Sequence, residues 1–228
     1  MKQIALDIGL APGPHLHNFL AGPNQEALHH MQLWVSSDKR SPVPTYVWGA
    51  SGSGKTHLLR AVQAALHEQG QAVGWLDATV AEPHAFDDAW RVVILDDVHL
   101  YSAVQQQAAF NWFVNATTPN DGQQRWVLAA GDVPPSDLTL REDLRTRLGW
   151  GHIFQLQVLS EAERRAVLRQ QADERGVFLS DEVMDFMLSR FSRDLSSLIQ
   201  LLDQLDRYAL QTQRAITIPL VKSMLENM

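Results

Sequence analysis

The sequence predicts an α/β fold in which a parallel five-stranded sheet is followed by a small C-terminal helical lid. Five short apolar runs alternate with helical segments up to about residue 159. A glycine-rich loop lies between the first of these runs and the helix that follows it. From Ser160 onward the hydrophobic pattern is helical throughout. Strands that alternate with helices indicate a parallel sheet, and the helical tail indicates a separate layer.

The five apolar runs are the predicted strands. Four of them are continuous, which is typical of strands covered by helices on both faces. The last run alternates, as an edge strand does. The predicted strands are Tyr46–Trp48, Ala72–Asp77, Val92–Leu95, Trp126–Ala130 and Ile153–Val158, and the predicted helices between them are Thr56–His67 and Ser102–Ala116.

The C-terminal zone carries helix start and stop signals. Ser160 followed by Glu163 forms a capping box, and Gly176 stands where that helix is expected to end. Apolar residues spaced by three and four from Leu195 to Ala209 predict a helix with one buried face. The domain boundaries predicted from these patterns are an N-terminal arm at 1–14, an α/β domain at 15–159 and a helical lid at 160–228.

Composition excludes several classes of function. The chain has 19 basic and 26 acidic residues, a net charge of −7, so its overall field does not attract DNA. It contains no cysteine, which excludes disulfides, thiol catalysis and cysteine-based zinc sites. No apolar run approaches the roughly 20 residues that span a bilayer. The N-terminal segment also lacks an uninterrupted apolar core, so we expect a cytoplasmic protein without a signal peptide.

The glycine-rich loop matches the phosphate-binding pattern Gly-x-x-x-x-Gly-Lys-Thr in full. Its backbone N–H groups and the helix N-terminus are expected to face phosphates, which makes the chain a P-loop nucleotide-binding protein. Lys55 is expected to reach the β- and γ-phosphates of ADP or ATP, both of which fit such a loop. The predicted nucleotide contacts here are Gly49, Ser51, Gly52, Ser53, Gly54, Lys55, Thr56 and His57.

Two carboxylates follow the third predicted strand. Asp96 stands at the end of the apolar run Val92–Leu95, about forty residues after the loop, and is predicted to hold Mg²⁺ together with Thr56. Asp97 is a candidate for orienting the attacking water. Taken alone, such a pair is the ordinary start of a solvated loop.

The order of these motifs resembles the DnaA/Hda group of bacterial AAA+ proteins over nearly the whole chain after the arm. Asn18–Asn24 resembles the family box that lines the adenine pocket, which implies a contact from Phe19. Ala130–Pro135 is similar to the sensor 1 box and implies that Asp132 lies near the γ-phosphate, although the family usually has Arg where Val133 stands. The aromatic run Phe110–Asn115 also has family counterparts, and core packing is its ordinary interpretation.

Two arginines acquire roles from the same resemblance. Arg145–Gly151 resembles the box that carries the arginine finger, and Arg147 holds the matching position. Arg193 matches the sensor 2 position at the start of the long lid helix. Without the resemblance, Arg147 is ordinarily a solvated surface charge and Arg193 a partner in a helix-capping ion pair.

The N-terminal arm resembles the short peptide by which bacterial proteins dock on the replication sliding clamp. The side chains implied in that contact are Gln3, Ile4, Leu6 and Ile8. In an extended peptide, Leu6 and Ile8 point to the same side and can fill one apolar pocket. The family peptide has Leu at Ile4 and Pro at Asp7. An ordinary first strand or a disordered tail are the other interpretations.

The resemblance implies a regulator that binds the clamp and stimulates ATP hydrolysis by the initiator DnaA. The family's initiator continues into a DNA-binding domain, and the end of this sequence at Met228 leads us to expect contact with DNA only through the clamp. Many AAA+ proteins have Glu where Asp97 stands, so we expect weak intrinsic hydrolysis. Two alternatives stay open: a self-assembling ATPase or helicase loader, in which Arg147 serves a second copy, and a nucleotide-locked clamp adaptor.

Overall fold

In a computed structural model, residues 13–37, 40–190 and 195–226 are described, apart from the side chains of Ser196, Ser197 and Glu226. The chain divides into two compact units. The first is Pro14–Val158, and the second includes the described residues from Leu159 onward.

The first unit is built on a five-stranded parallel sheet, as the sequence predicts. Its strands are β1 (Thr45–Trp48), β2 (Ala72–Leu76), β3 (Trp90–Leu95), β4 (Trp126–Gly131) and β5 (His152–Gln155). Their order across the sheet is β2-β3-β4-β1-β5. β1 pairs with β4 on one side and with β5 on the other, always in parallel. The sheet therefore brings the ends of β1, β3 and β4 to one edge, next to one another.

Four helices cover this sheet and bury its two faces separately. They are α1 (Gln25–Ser36), α2 (Lys55–Glu68), α3 (Ala103–Thr117) and α4 (Glu142–Leu148). Alternate residues of each strand join different apolar clusters, because successive side chains leave a strand on opposite sides. Val47 and Ile94 pack with α1 and α2, whereas Tyr46 and Val93 pack with α3 and α4. Burial on both faces explains why these strands read as continuous apolar runs.

The last strand is shorter than the sequence predicts. β5 ends at Gln155, whereas the alternating pattern extends to Val158. The backbone of Gln157 pairs instead with a side chain: Asn24 Oδ1 accepts from Gln157 N at 2.7 Å, and Asn24 Nδ2 donates to Gln157 O at 3.0 Å. Asn24 is only 3% exposed, so both hydrogen bonds are shielded from water. They tie the segment before α1 to the chain leaving the sheet.

The second unit is helical in its described part. Its helices are α5 (Glu161–Glu174), α6 (Asp181–Arg190), α7 (Leu195–Thr212) and α8 (Ile218–Glu226). The predicted capping box is present, since Ser160 Oγ accepts from Glu163 N at 3.3 Å and Glu163 Oε2 accepts from Ser160 N at 2.7 Å. Gly176 has a φ of +68°, a conformation that suits glycine after a helix. Leu198, Leu202 and Leu205 of α7 are fully buried, as their spacing predicts.

Among the helices of the described residues, none combines the length and apolarity needed to cross a bilayer.

Candidate nucleotide-binding site

The predicted phosphate-binding loop joins β1 to α2 and depends on glycine. Gly52 and Gly54 have φ values of +80° and +92°, which L side chains rarely adopt. A Cβ atom at Gly54 would lie 3.1 Å from the ring of Phe19, and one at Gly49 would overlap the backbone oxygen of Leu156. The loop is therefore closely packed against its neighbours, which explains the glycines at these positions.

Lys55 begins α2 and is almost fully buried. Its ammonium group donates to the carbonyl oxygens of Gly49, at 2.7 Å, and Ala50, at 3.3 Å. Burial lowers the pKa of Lys55, while the carboxylates of Asp97, Asp96 and Asp132 act in the opposite direction. These two carbonyl oxygens are acceptors for the Lys55 ammonium group, and phosphate oxygens can replace them with stronger, charge-assisted hydrogen bonds.

Asp96 directly follows the buried strand β3 and lies beside the start of α2. Its carboxylate hydrogen-bonds the Thr56 hydroxyl and accepts from the backbone N–H of Asp97 at 3.0 Å. Burial raises the pKa of Asp96 to about 6, against the lowering effect of the Thr56 hydrogen bond. A hydroxyl and a carboxylate in contact are oxygen ligands of the kind Mg²⁺ uses. The donor set therefore fits the predicted ion.

Asp97 has a left-handed backbone, with φ of +50° and ψ of +43°. It precedes the 3₁₀ turn Val98–Leu100. Non-glycine residues take this conformation at an energetic cost, and such residues cluster at functional sites. Asp97 also acts on the pKa of Lys55, so its carboxylate belongs to the same group of charges.

Asp132 follows β4, which is adjacent to β1 in the sheet. Its Oδ1 lies 3.7 Å from Nδ1 of His99, too far for a hydrogen bond, and that buried nitrogen has no hydrogen-bond partner in the described part of the chain. The Tyr46 hydroxyl donates to the backbone oxygen of Val133 at 2.8 Å. The structure thus brings Asp132 to the edge that carries Lys55 and Asp96.

Sequence reasoning missed Tyr46 and His99 in this region. Tyr46 was part of an apolar strand and gave no polar signal, and His99 matched no motif. A Cβ atom at Gly131, the last residue of β4, would overlap the hydroxyl of Tyr46, so a residue without a side chain is needed there. The contact between Tyr46 of β1 and Gly131 of β4 could have been predicted only by assuming that these two strands are adjacent.

Phe19 and His57 form an aromatic pair next to the loop. The ring of Phe19 is 8% exposed and its centroid lies 5.7 Å from that of His57. His57 Nε2 lies 3.3 Å from Asn18 Oδ1, which also accepts from the backbone N–H of His15 at 2.9 Å. Burial, followed by the charge of His15, lowers the pKa of His57 and favours its neutral form. An apolar ring and neutral polar groups suit a nucleobase better than a phosphate.

The two serines of the loop differ in their surroundings. Ser51 is exposed, whereas Ser53 is buried and its hydroxyl has no hydrogen-bond partner among the described residues. An unpaired buried hydroxyl costs free energy on the order of 1–3 kcal/mol. Its presence in the loop is consistent with a segment that gains hydrogen bonds when it holds a ligand.

Arg147 lies in the last turn of α4 and contacts aromatic rings rather than the loop. Its guanidinium carbon lies 5.0 Å from the ring centroid of Trp150, 5.3 Å from that of Phe110 and 5.8 Å from that of Phe113. Within the described ranges, no ion pair or hydrogen bond joins its side chain to the phosphate-binding loop. The candidate site therefore contains the loop, Asp96, Asp97 and Asp132, and Arg147 forms a separate feature.

Some predicted site residues lie outside the described residues. These are Arg193 and the four side chains of the arm, Gln3, Ile4, Leu6 and Ile8.

Two family models match different parts of the chain. The model of the bacterial DnaA ATPase domain matches residues 12–80, which contain the phosphate-binding loop and the segment with Phe19. The model described as the lid domain of Hda matches residues 161–225.

Solved structures of low sequence identity share the fold. Domain III of the replication initiation protein DnaA from Thermotoga maritima has a TM-score of 0.74 at 20% identity, over 96% of this chain and 98% of that chain. AMPPCP-bound DnaA from Aquifex aeolicus has a TM-score of 0.62 at 21% identity, over 83% and 64% of the two chains. The Thermotoga maritima RuvB Holliday junction branch migration motor has a TM-score of 0.62 at 15% identity, over 90% and 69%.

One family model matches part of the first unit and the other matches most of the second, and the solved structures share the fold. Together they confirm the resemblance drawn from the motifs: the chain is a DnaA/Hda-type AAA+ protein.

Proposed function

We propose that the chain is a nucleotide-bound regulator of replication initiation, which docks on the sliding clamp and stimulates ATP hydrolysis by DnaA. The observation that carries the proposal is the setting of Arg147. Its guanidinium rests on aromatic rings and has no carboxylate partner among the described residues, in a chain whose lid matches the Hda lid family. A cation held in this way can serve an anionic group on another protein.

The proposed nucleotide is ADP or ATP. The glycine loop and Lys55 hold the phosphates, and the pair formed by Phe19 and His57 holds the base. The structure of a DnaA bound to AMPPCP, which shares this fold, supports an adenine nucleotide. Thr56 and Asp96 would hold Mg²⁺, which neutralises part of the phosphate charge when bound. Arg193 of the lid is proposed to approach the phosphates as sensor 2.

The proposed reaction takes place on DnaA, with Arg147 acting in trans. In phosphoryl transfer, negative charge spreads over the oxygens of the transferred group, and an arginine supplied by a partner can accelerate hydrolysis by about 10³–10⁵. Asp97 and Asp132 belong to the chain's own nucleotide site, where Asp97 orients water and Asp132 lies near the γ-phosphate. We expect this intrinsic hydrolysis to be slow because Asp97 is shorter than the usual Glu.

The arm is the proposed clamp-binding element. Gln3 would hydrogen-bond at the rim of a pocket, and Ile4, Leu6 and Ile8 would supply apolar contacts. Docking on a clamp raises the local concentration of regulator and partner, which strengthens a weak contact between them. The acidic character of the whole chain supports a route to DNA through the clamp rather than by direct contact.

The test compares two arginines of the same helical turn. Arg147→Ala should return the rate of hydrolysis of DnaA-bound ATP to its unstimulated value, in a reaction that contains loaded clamp and ADP. Arg145→Ala is the matched control and should stimulate like the wild type, since Arg145 also lies in the last turn of α4. Equal stimulation by the wild type and Arg147→Ala would refute the proposal.

The alternatives give different results in the same assay. A self-assembling ATPase or helicase loader would hydrolyse ATP faster as its own concentration rises, without DnaA. A nucleotide-locked adaptor would bind the clamp without changing any hydrolysis rate.

A further inference from the structure

Most ion pairs of the described residues join arginine to aspartate. Six arginines have an aspartate oxygen within ion-pair distance: Arg60, Arg125, Arg141, Arg165, Arg169 and Arg175. The side chain of Arg147 has neither a carboxylate partner nor a hydrogen-bond acceptor in the described part of the chain. Among the described residues, its N–H donors therefore have no acceptor.

Arg147 contacts aromatic rings instead of a carboxylate. Phe110 of α3 is half-buried, and its ring centroid lies 5.3 Å from the guanidinium carbon of Arg147. Trp150, which is 58% exposed, lies at 5.0 Å and adjoins it at the surface. A ring attracts a cation without accepting its N–H hydrogen bonds. It can therefore orient a guanidinium and leave its donors available, whereas a carboxylate would engage them.

The helix that carries Arg147 is fixed against the helix that carries Phe110. Gln106 Oε1 of α3 accepts from the backbone N–H of Arg141, just before α4, at 2.9 Å. The Arg141 guanidinium pairs with both carboxylate oxygens of Asp143 at 2.7 Å and lies 4.7 Å from the Phe110 ring centroid. It also donates to the side chain of Gln107. These contacts set the distance between α3 and α4, so the ring of Phe110 stays beneath Arg147.

We propose that Phe110, with Trp150 beside it, is a positioning residue for Arg147. The rings hold the guanidinium in one orientation with its N–H donors free for the phosphate oxygens of a partner. This inference rests on the proposed function of Arg147 and adds the residues that set its geometry. A misplacement of about 1 Å can reduce a catalytic rate by about 10²-fold, so loss of the ring should affect the rate more than binding.

Three variants test the contribution of the Phe110 ring to the position of Arg147. Phe110→Leu removes the aromatic face and keeps an apolar side chain, and Phe110→Tyr keeps the face. Phe86→Leu is the matched control, because the Phe86 ring also lies near an arginine, 5.6 Å from the guanidinium carbon of Arg125, outside the proposed machinery. Circular dichroism and nucleotide binding show that each variant is folded before any rate is compared.

The first readout is the hydrolysis of DnaA-bound ATP as the regulator is titrated. We expect Phe110→Leu to lower the maximal stimulated rate by roughly tenfold, with the half-saturating concentration within about twofold. Phe110→Tyr and Phe86→Leu should keep the wild-type rate. An unchanged maximal rate for Phe110→Leu would overturn the inference.

The second readout does not depend on DnaA. The Nε–Hε NMR signal of Arg147, assigned by its loss in Arg147→Ala, should carry a ring-current shift that Phe110→Leu reduces and Phe110→Tyr keeps. If Phe110→Leu does not change the chemical shift of this Arg147 signal, the positioning role is overturned. If the wild-type protein stimulates no hydrolysis, the proposed function fails, and the NMR signal alone then decides whether Phe110 positions Arg147.

Discussion

At the scale of single residues, the site consists of charges whose pKa values are shifted in opposing directions. Burial lowers the pKa of Lys55 and raises that of Asp96, so each charged form is less stable than it is in water. A bound phosphate would stabilise the ammonium group, and a bound Mg²⁺ would stabilise the carboxylate. The charged forms of Lys55 and Asp96 would therefore be more stable with a phosphate and Mg²⁺ bound than in the protein alone.

A substitution at Asp97 can separate the contribution of its left-handed backbone to stability from that of its carboxylate to hydrolysis. Asn tolerates the left-handed conformation about as well as Asp does, so Asp97→Asn should change the free energy of unfolding by less than about 0.5 kcal/mol. The variant lacks a carboxylate, and its intrinsic ATP hydrolysis should fall by about tenfold or more. Urea unfolding and single-turnover kinetics measure the two effects. Wild-type hydrolysis by Asp97→Asn would remove Asp97 from the proposed mechanism.

His30 of α1 gives the fold a dependence on pH. Burial, followed by the neighbouring His152, lowers the pKa of His30 below its ordinary 6.5. The unfolded chain therefore takes up this proton at a higher pH than the folded chain does. The stability that neutral His30 provides is present above pH 6.5 and is lost as the pH falls below that value.

His30→Gln should accordingly reduce the loss of unfolding free energy between pH 7.5 and 5.5. The control is His29→Gln, since His29 is the adjacent, exposed residue of the same helix. Urea unfolding at the two pH values measures the difference. An identical loss in the wild type and His30→Gln would contradict the assignment.

At the scale of elements, the sequence predicted those helices and strands whose bounds depend on residues close together in the chain. The first four runs became β1 to β4, and the apolar residues of β1, β3 and β4 are buried on both faces of the sheet. Ser160 and Glu163 formed their capping box because both partners lie within one turn. The end of β5 was not predictable in this way. It depends on the side chain of Asn24, which is 133 residues away in sequence. Contacts at that distance leave no local pattern.

The tie between Asn24 and Gln157 should hold the segment that carries Phe19. Asn24→Ala removes two buried hydrogen bonds and leaves backbone groups unpaired, which should lower the free energy of unfolding by about 2–3 kcal/mol. Nucleotide affinity should fall by a few fold, because Phe19 precedes this tie on the same segment. Asn115→Ala, at an exposed position of α3, is the control and should cost less than about 0.5 kcal/mol. Equal stability of the two variants would contradict this role.

At the scale of the whole molecule, the candidate nucleotide site and Arg147 both lie in the first unit, Pro14–Val158. The nucleotide site could be predicted because one motif contains most of its residues and the adjacent strands supply the rest. The surroundings of Arg147 could not. Core packing was the ordinary interpretation of the aromatic run of α3, and it is right for Trp112 and Phe113, which are buried. Phe110 is half-buried beside two guanidinium groups that lie more than thirty residues later in sequence.

The measurement that tests the central claim most directly is the lifetime of labelled ATP on DnaA. The reaction contains this protein with ADP and DNA-loaded clamp, and it is run with the full chain, without residues 1–10 and with Arg147→Ala. We predict that the full chain shortens the lifetime and that either change abolishes the effect. If the full chain leaves the lifetime of ATP on DnaA unaltered, the account is contradicted. The chain would then be tested as a helicase loader or a clamp adaptor.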